Sequence, residues 1–359
     1  MIVTVERAQE IGGAIAAPPS KSMAHRAVLC AALAKGTSHI RNLEFSKDIA
    51  ATLAAAGQLC ARVTTTLEIG RAVDCCESGS TLRFLIPLAS LTGQEITFVG
   101  RGRLMERPQS VYEELYRAKG LRFEQTPSGL TVEGLLSSGD YTLEGNVSSQ
   151  FISGLLFHPC DYTVEGDYSQ AAFPAVLGAV AGGVTLTGLA EKTLQGDAAI
   201  LDILRRCGAK FTPTAAGIVF EQAPLHGTDI DLADCPDLGP VLMVLGLLCE
   251  GTTVIRNAER LRIKESDRIE AMEMELRKCG GVLSSEGGTI TITGCAGALH
   301  APGEVLSGHN DHRVVMSLAV LALAAGLKLP IAEAEAVTKS WPNFFTAIKP
   351  LGAEVQDVG

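Results

Sequence analysis

From Gly178 to Leu189 the chain reads GAVAGGVTLTGL, and from Ala198 to Phe211 it reads AAILDILRRCGAKF. The first stretch is the end of an apolar helix, a Gly-Gly turn, and a strand in which apolar and polar residues alternate. The second has apolar residues three and four apart, as a helix with one buried face does, and it too ends at a glycine before a strand. Four more pairs repeat the pattern: AALAKGTSHIRNL with AATLAAAGQLCARV, ASLTGQEITFVG with VYEELYRAKGLRF, GLLCEGTTVIRNA with RIEAMEMELRKCGGVL, and ALAAGLKLPIAEA with FFTAIKPLGAEV. Each pair predicts a βαβαββ unit. The first helix of each unit is apolar all round and belongs inside; the second is amphipathic and belongs outside.

Equivalent points at the starts of the first helices are Lys21, Gly79, Ser149, Ser169, Asp237 and Asp311. The interval from Ser149 to Ser169 is far shorter than the others. After SSQFISGLLF the chain meets HPCDYTVEGD where a strand, a second helix and a hairpin should follow. The sequence therefore predicts an α/β (α+β) fold of six units in two lobes, with the third unit cut to its first strand and helix. Residues 15–161 are expected to form the first lobe, with two full units and the truncated third. Residues 1–14 and 162–359 are expected to form the second, with three full units. The starts of the interior helices would face the cleft between the lobes.

With 47% hydrophobic residues the 359-residue chain can bury the cores this plan needs. Its net charge of −10 argues against nucleic acid or an anionic membrane as partner, so basic residues matter where they cluster. The ten cysteines include no C-x-x-C pair and read as reduced thiols of a cytoplasmic protein. The N-terminal MIVTVERAQE reads as a strand start without an apolar signal region. Tyr168–Ala190 is uncharged over a membrane-spanning length, but Pro174, Gly182, Gly183 and VTLTG should break it into helix, turn and strand.

The chemistry gathers at the helix starts, and PPSKSMAHR at Pro18–Arg26 shows the pattern best. Two prolines fix an extended entry, Ser20 is placed to cap, and Lys21, Ser22 and Arg26 crowd a helix N-terminus that already carries free N–H groups and positive partial charge. Cations at that end suit a bound anion, most simply a phosphate. The other starts are ESGSTLR, VSSQF, GDYSQAAF, DCPDLGP and HNDHR; outside them lie MERP at Arg107, LRIKESDR at Leu261–Arg268 and TKSWP at Lys339. Lys264 and Arg268 are expected one turn apart on a helix, where like charges repel and a bound anion would relieve them. Glu265 beside them is a candidate proton donor or acceptor. Each piece also has a plain structural reading. KESDR reads as a solvated helix face, His312 as a structural histidine, Asp237, Asp48 and Asp197 as helix-start acids, and Trp341 as packing. The gathering of Lys21, Arg26, Arg107, Lys264, Arg268, Arg313 and Lys339 in an acidic chain implies a cleft for a substrate with several negative charges. No zinc-ligand spacing, Walker loop or GxGxxG is present, so neither metal nor nucleotide cofactor is expected.

The ordered set SKSxxxR, SGSTLR, ERP, SSQF, EGDYSQAAF, KESDR, NDHR and KSWP resembles the 5-enolpyruvylshikimate-3-phosphate synthase family over nearly the whole chain. The resemblance implies a two-lobed inverse α/β barrel of βαβαββ units. It also implies a cofactor-free transfer of the carboxyvinyl group of phosphoenolpyruvate to the 5-hydroxyl of shikimate 3-phosphate, with release of phosphate. Lys21, Gly79, Arg107, Gln150, Arg268, Arg313 and Lys339 match phosphoenolpyruvate contacts. Lys21, Ser22, Arg26, Ser148, Ser149, Gln150, Asp237 and Lys264 match shikimate 3-phosphate contacts. Asp237 matches the group that takes the 5-hydroxyl proton, and Glu265 the group that protonates the methylene carbon; Lys21 and His312 complete the catalytic set. Small anionic substrates are the implied partners, and the chain is expected to act as a monomer unless the truncated lobe associates with a neighbour.

Two features depart from the family pattern. Glu77 stands where many members have Asn, and the Ser-Lys-Pro-Tyr segment of the third unit has no counterpart. The second leaves an alternative reading, an impaired remnant that binds anions or a protein partner. The sister enzyme acting on UDP-N-acetylglucosamine fits less well: it carries a Cys in the loop before the Arg-Pro pair, and GRGRLMERP has Gly102 there.

Overall fold

The computed structural model describes residues 1–33, 40–63, 72–136, 162–191, 193 and 195–357. The chain divides into two compact units, Met1–Pro18 with Glu165–Gly359, and Pro19–Val164. Residues 137–161, on which the truncated third unit falls, lie outside the described residues.

One four-stranded sheet recurs. In the larger unit Gly13–Ala16 runs parallel to Val184–Thr187, which pairs antiparallel with Gly217–Glu221, itself in a hairpin with Lys210–Thr214. Asp229–Asp231, Thr252–Arg256, Thr289–Thr293 and Val282–Glu286 repeat that order. In the smaller unit Ala72–Asp74, Ile96–Val99, Gly129–Glu133 and Arg122–Thr126 repeat it again. A parallel pair needs a crossover, which the apolar helix supplies, whereas the last two strands join by a tight turn. Ile2–Arg7 lies between Leu329–Ala332 and Ala353–Asp357, antiparallel to both, so the N-terminal strand completes a sheet of C-terminal residues. Ile40–Arg41 pairs parallel with Tyr162–Thr163 in the smaller unit.

Three helices of the larger unit, Tyr168–Ala181, Gly239–Leu248 and His312–Ala325, pack on one another and are buried nearly all round. Their apolar side chains form one continuous core. Burying each such Leu or Val removes it from water for about 1.5–3 kcal/mol, so these helices are fixed and their first turns are rigid supports. Asp167 caps the first through the Gln170 amide, and Asp311 caps the third through the Arg313 amide. The third ends at Gly326, in the left-handed region at φ 67°, where Leu327 N–H donates to the Ala322 carbonyl at 2.8 Å. The uncharged stretch divides, as expected, into a helix, a Gly-Gly turn and the strand Val184–Thr187, although Pro174 does not mark the break. Pro174 sits inside Tyr168–Ala181, which tertiary packing holds, and Gly182 and Gly183 make the turn.

The smaller unit has its own core, built on Leu82, Phe84, Leu85 and Ile86 of Gly79–Ala89, Phe98 of the sheet, and Tyr112 and Tyr116 of Ser110–Ala118. Its other described helices are Lys21–Leu33 and Lys47–Val63.

Candidate active site

In the larger unit the starts of two interior helices, Gly239–Leu248 and His312–Ala325, meet around one guanidinium. Arg268, the first residue of the helix Arg268–Lys278, is 1% exposed. It donates to Asp311 (Nε to Oδ2 2.7 Å, Nη2 to Oδ1 3.2 Å), to Asp237 (Nη1 to Oδ1 2.9 Å) and to Glu265 (Nη2 to Oε2 2.6 Å). Asp237 also takes Lys264 Nζ at 3.2 Å and Arg313 Nη2 at 3.4 Å, and its carbonyl accepts from Arg313 Nη1 at 3.1 Å. Ser266 Oγ bonds to Asp311 Oδ2 at 3.1 Å. Lys339 Nζ donates to the Asn310 carbonyl at 2.7 Å, one residue before Asp311. His312 is buried, with Nδ1 3.8 Å from Asp311 Oδ1.

The electrostatics follow. Burial works to raise the Asp237 pKa, but Arg313, Lys264 and Arg268 outweigh it and hold the carboxyl well below its usual range. Asp311 is likewise held down: burial opposes its charge, and Arg268 overcomes that. Asp197 is the exception. Burial and the neighbouring Asp237 push it up to about 7, against the pull of Arg313 and a hydrogen bond from Ser169.

The expected placement of Lys264 and Arg268 one turn apart on a helix is corrected. Glu259–Ile263 is a short 3-10 turn, Lys264 lies outside any helix, and the helix begins only at Arg268. Asp267 is the reason, since its carboxylate accepts from the Ile269 and Glu270 amides and so makes it a helix cap. The two cations converge on one carboxylate, Asp237, instead of repelling along a helix face.

The smaller unit holds the second group. Lys21 Nζ is 2.9 Å from Asp48 Oδ2. Arg26 Nη1 donates to the Ser22 carbonyl at 2.9 Å, and the guanidinium lies 5.2 Å from the centre of the Phe84 ring. Ser78 caps Gly79–Ala89 through the Thr81 amide. Arg107 lies against that helix start: a Cβ on Gly79 would fall 2.8 Å from Arg107 Nη1, so any larger residue there would displace the guanidinium. Behind it, His25 Nδ1, Thr52 Oγ1, Thr81 Oγ1 and Ser78 Oγ form a buried chain at 2.6, 2.5 and 2.7 Å. Glu77, the departure from the family pattern, lies close to Gly102.

Of the residues expected at the site, Asp237, Lys264, Glu265, Arg268, His312, Arg313 and Lys339 lie in the larger unit, and Lys21, Ser22, Arg26, Gly79 and Arg107 in the smaller. Ser148, Ser149 and Gln150 lie outside the described residues. Sequence reasoning missed Asp311 as the main partner of Arg268 and Asp48 as the partner of Lys21; both read only as helix-start residues. Trp341 packs in the core on Phe344, as its plain reading has it. Among the described residues no His, Cys, Asp or Glu group is placed to hold a metal ion, and no helix is long and apolar enough to cross a membrane.

Comparison with known proteins places these observations. The family profile described as EPSP synthase (3-phosphoshikimate 1-carboxyvinyltransferase) matches residues 5–159 and 156–348. A 3-phosphoshikimate 1-carboxyvinyltransferase of Clostridium kluyveri is 36% identical over 416 aligned positions, covering 97% of each chain. That of Clostridium novyi is 35% identical over 425 positions, again covering 97% of each. Both alignments exceed the 359 residues of this chain, so these relatives carry residues with no counterpart here. The solved structure of EPSP synthase from Acinetobacter baumannii superimposes with a TM-score of 0.76 at 21% identity, covering 99% of this chain and 100% of that one. The enolpyruvyl transferase NikO from Streptomyces tendae superimposes at 0.62 with 14% identity, covering 99% of this chain and 98% of that one.

Proposed function

The chain belongs to the EPSP synthase (3-phosphoshikimate 1-carboxyvinyltransferase) family, and from that premise we propose how its side chains move the carboxyvinyl group of phosphoenolpyruvate onto the 5-hydroxyl of shikimate 3-phosphate. The observation that supports the assignment most directly is the knot of Lys264, Arg268 and Arg313 on Asp237, with Glu265 on the same guanidinium. It puts a base, an acid and three cations within a few ångströms.

By the family resemblance, Lys21, Gly79, Arg107, Gln150, Arg268, Arg313 and Lys339 are assigned to phosphoenolpyruvate. Lys21, Ser22, Arg26, Ser148, Ser149, Gln150, Asp237 and Lys264 are assigned to shikimate 3-phosphate on the same ground. Bringing two mutually repelling anions together is the first task, and fixed cations do it by proximity and charge stabilisation. Asp237 then takes the 5-hydroxyl proton as that oxygen bonds to C2 of phosphoenolpyruvate, and Glu265 delivers a proton to the methylene carbon. In the reverse sense Glu265 recovers a methyl proton, the bond to the phosphate oxygen breaks, and phosphate leaves with the double bond restored. His312, packed beside Asp311, keeps the start of its helix in place for Arg313.

Asp237 is a weak base while three cations hold it. Substrate phosphate and carboxylate groups compete for Lys264, Arg268 and Arg313, and each cation they draw away raises its basicity. The base is thus armed by the substrates it serves. Absence of the Ser-Lys-Pro-Tyr segment removes about two hydrogen bonds to the shikimate. At roughly 0.5–1.5 kcal/mol each, that raises KM for shikimate 3-phosphate about 5- to 150-fold. The enzyme acts in the cytoplasm as a monomer on these two small anions. Phosphate release on mixing both substrates tests the reading; saturating amounts of both without phosphate release would favour the anion-binding remnant.

A further inference from the structure

Glu275 is a carboxylate with no role in the reaction as assigned, yet its side chain is 0% exposed. A buried charge is tolerated only when it is paired and hydrogen-bonded, and its partners show what it does. Lys278 Nζ lies 3.2 Å and 3.0 Å from its two oxygens. The Ser307 amide donates to Oε2 at 3.0 Å, and His309 Nε2 lies 3.1 Å from Oε1. The carboxylate therefore closes onto the loop that leads into the Asp311–His312–Arg313 helix start.

That loop is costly to form. His309 and Asn310 are consecutive non-glycine residues in the left-handed region, at φ 50° and 49°, and such residues stay there only when their surroundings hold them. Ser307 Oγ bonds to Glu333 at 2.9 Å and accepts from the His309 amide at 3.0 Å. Gly308 N–H donates to the Ala332 carbonyl at 3.1 Å. The turn aims the Asn310 carbonyl at Lys339 Nζ, 2.7 Å away. Glu275 and Arg268 are seven residues apart on one helix, which puts them on the same face. Arg268 holds the far end of the loop through Asp311, and Glu275 holds the near end through Ser307 and His309.

We propose that Glu275 is a positioning residue: its buried carboxylate pins Ser307–Asn310 in the left-handed turn and so fixes the Asn310 carbonyl that orients Lys339. This rests on the assignment of Lys339 to phosphoenolpyruvate. A merely stabilising Glu275 would lower the melting temperature without favouring one substrate; a positioning one acts through the loop on the phosphoenolpyruvate side.

The test uses the full chain with Glu275→Gln, which keeps the side-chain volume, and His309→Gly, which removes the ring where glycine adopts the backbone freely. Expected for both is faster hydrogen exchange at the Ser307, Gly308 and His309 amides. Losing one bond to a charged group should also raise KM for phosphoenolpyruvate about ten- to hundredfold, with KM for shikimate 3-phosphate within about twofold of wild type. Unchanged exchange at those amides in both variants overturns the proposal, and so does an equal rise in the two KM values. A wild-type chain that releases no phosphate overturns the assignment of the site instead, and the clamp is then decided by the exchange rates alone.

Discussion

Replacing Arg268 by methionine keeps an unbranched apolar stem and removes the guanidinium. Asp311, 0% exposed, then loses its cation and keeps Ser266 and the Arg313 amide as donors. Breaking one partner of a buried pair costs about 3–5 kcal/mol, a fall in melting temperature of roughly 6–20 °C for a unit of this size. The pH dependence separates this cause from simple loss of packing. In the wild type burial opposes the Asp311 charge, Arg268 outweighs it, and the folded pKa lies below its ordinary value. Its contribution is therefore fully present above the unfolded value of about 3.9 and is lost only as pH falls through the depressed folded one. In the variant burial prevails and the folded pKa lies above the unfolded one. The folded state then keeps a proton that the unfolded state has released, so stability drops as pH rises from about 4 through the raised pKa. The variant's deficit should therefore be smallest in strong acid, already appreciable near about pH 4.5, and should grow further as pH rises to neutrality. Trp341 is the only tryptophan and is buried in the core of the larger unit, so its fluorescence follows the melting of that unit. A deficit that is constant over this range, or larger in acid, refutes the reasoning.

Asp237→Ala and Glu265→Gln should each lower turnover about 100-fold or more in phosphate release, as loss of a positioned base or acid does; near-normal turnover of Asp237→Ala would remove Asp237 as the base. Gly79→Ala puts a methyl 2.8 Å from Arg107 Nη1, so the guanidinium must shift. KM for phosphoenolpyruvate should rise about tenfold with the melting temperature held, and an unchanged KM would show that Arg107 does not contact that substrate. Burial first, then Lys21 and Arg26, hold the His25 pKa well below its ordinary value of about 6.5, so the folded state binds fewer protons than the unfolded and the smaller unit loses stability as pH falls below that value. In His25→Asn that acid slope should be shallower, read by hydrogen exchange in Gly79–Ala89; equal slopes would mean that His25 is not the group responsible.

The repeated sheet was legible because its signals are local. Glycine turns, alternation in VTLTG and apolar faces in AAILDILRRCG need no tertiary information. The helix, turn and strand of residues 168–187 were legible too, but Pro174 lies inside the helix instead of at its break, because a helix buried on every side has enough packing to absorb a lost hydrogen bond. The cations of the site were legible as cations, but their partners were not. An acid at a helix start reads as a cap, and Asp311 is one, with Oδ1 on the Arg313 amide. The same carboxylate also holds Arg268, a contact 43 residues distant in sequence that no local pattern marks. Asp48 hides a bond to Lys21 in the same way. KESDR misled for a related reason: Asp267 inside the motif is a stronger helix start than the run of charges is a helix face. Glu275 gave no signal, since MELRKC reads as the solvated side of an outer helix until Ser307 and His309 are placed against it.

Two cations at a helix N-terminus made sense in the sequence only with an anion present. The chain supplies anions of its own: Asp48 for Lys21, Asp237 for Lys264 and Arg313, and Asp311 for Arg268. This changes what substrate binding has to do. A site of bare cations would gain its full Coulomb energy on binding but would repel itself while empty. A site of cations already paired to carboxylates is stable when empty, and binding exchanges one anion for another, so the net gain per contact is small. Affinity must then come from engaging many contacts at once, which fits a substrate pair with two phosphates and two carboxylates. The displaced carboxylates do not stay idle. On the proposed assignment, Asp237, stripped of part of its cation shell, would become a stronger base, while Asp311 would stay on Arg268 and keep that guanidinium aimed. The division falls along burial: Asp311 is fully enclosed and structural, whereas Asp237 keeps 32% of its side chain exposed, the face from which a substrate hydroxyl can reach it.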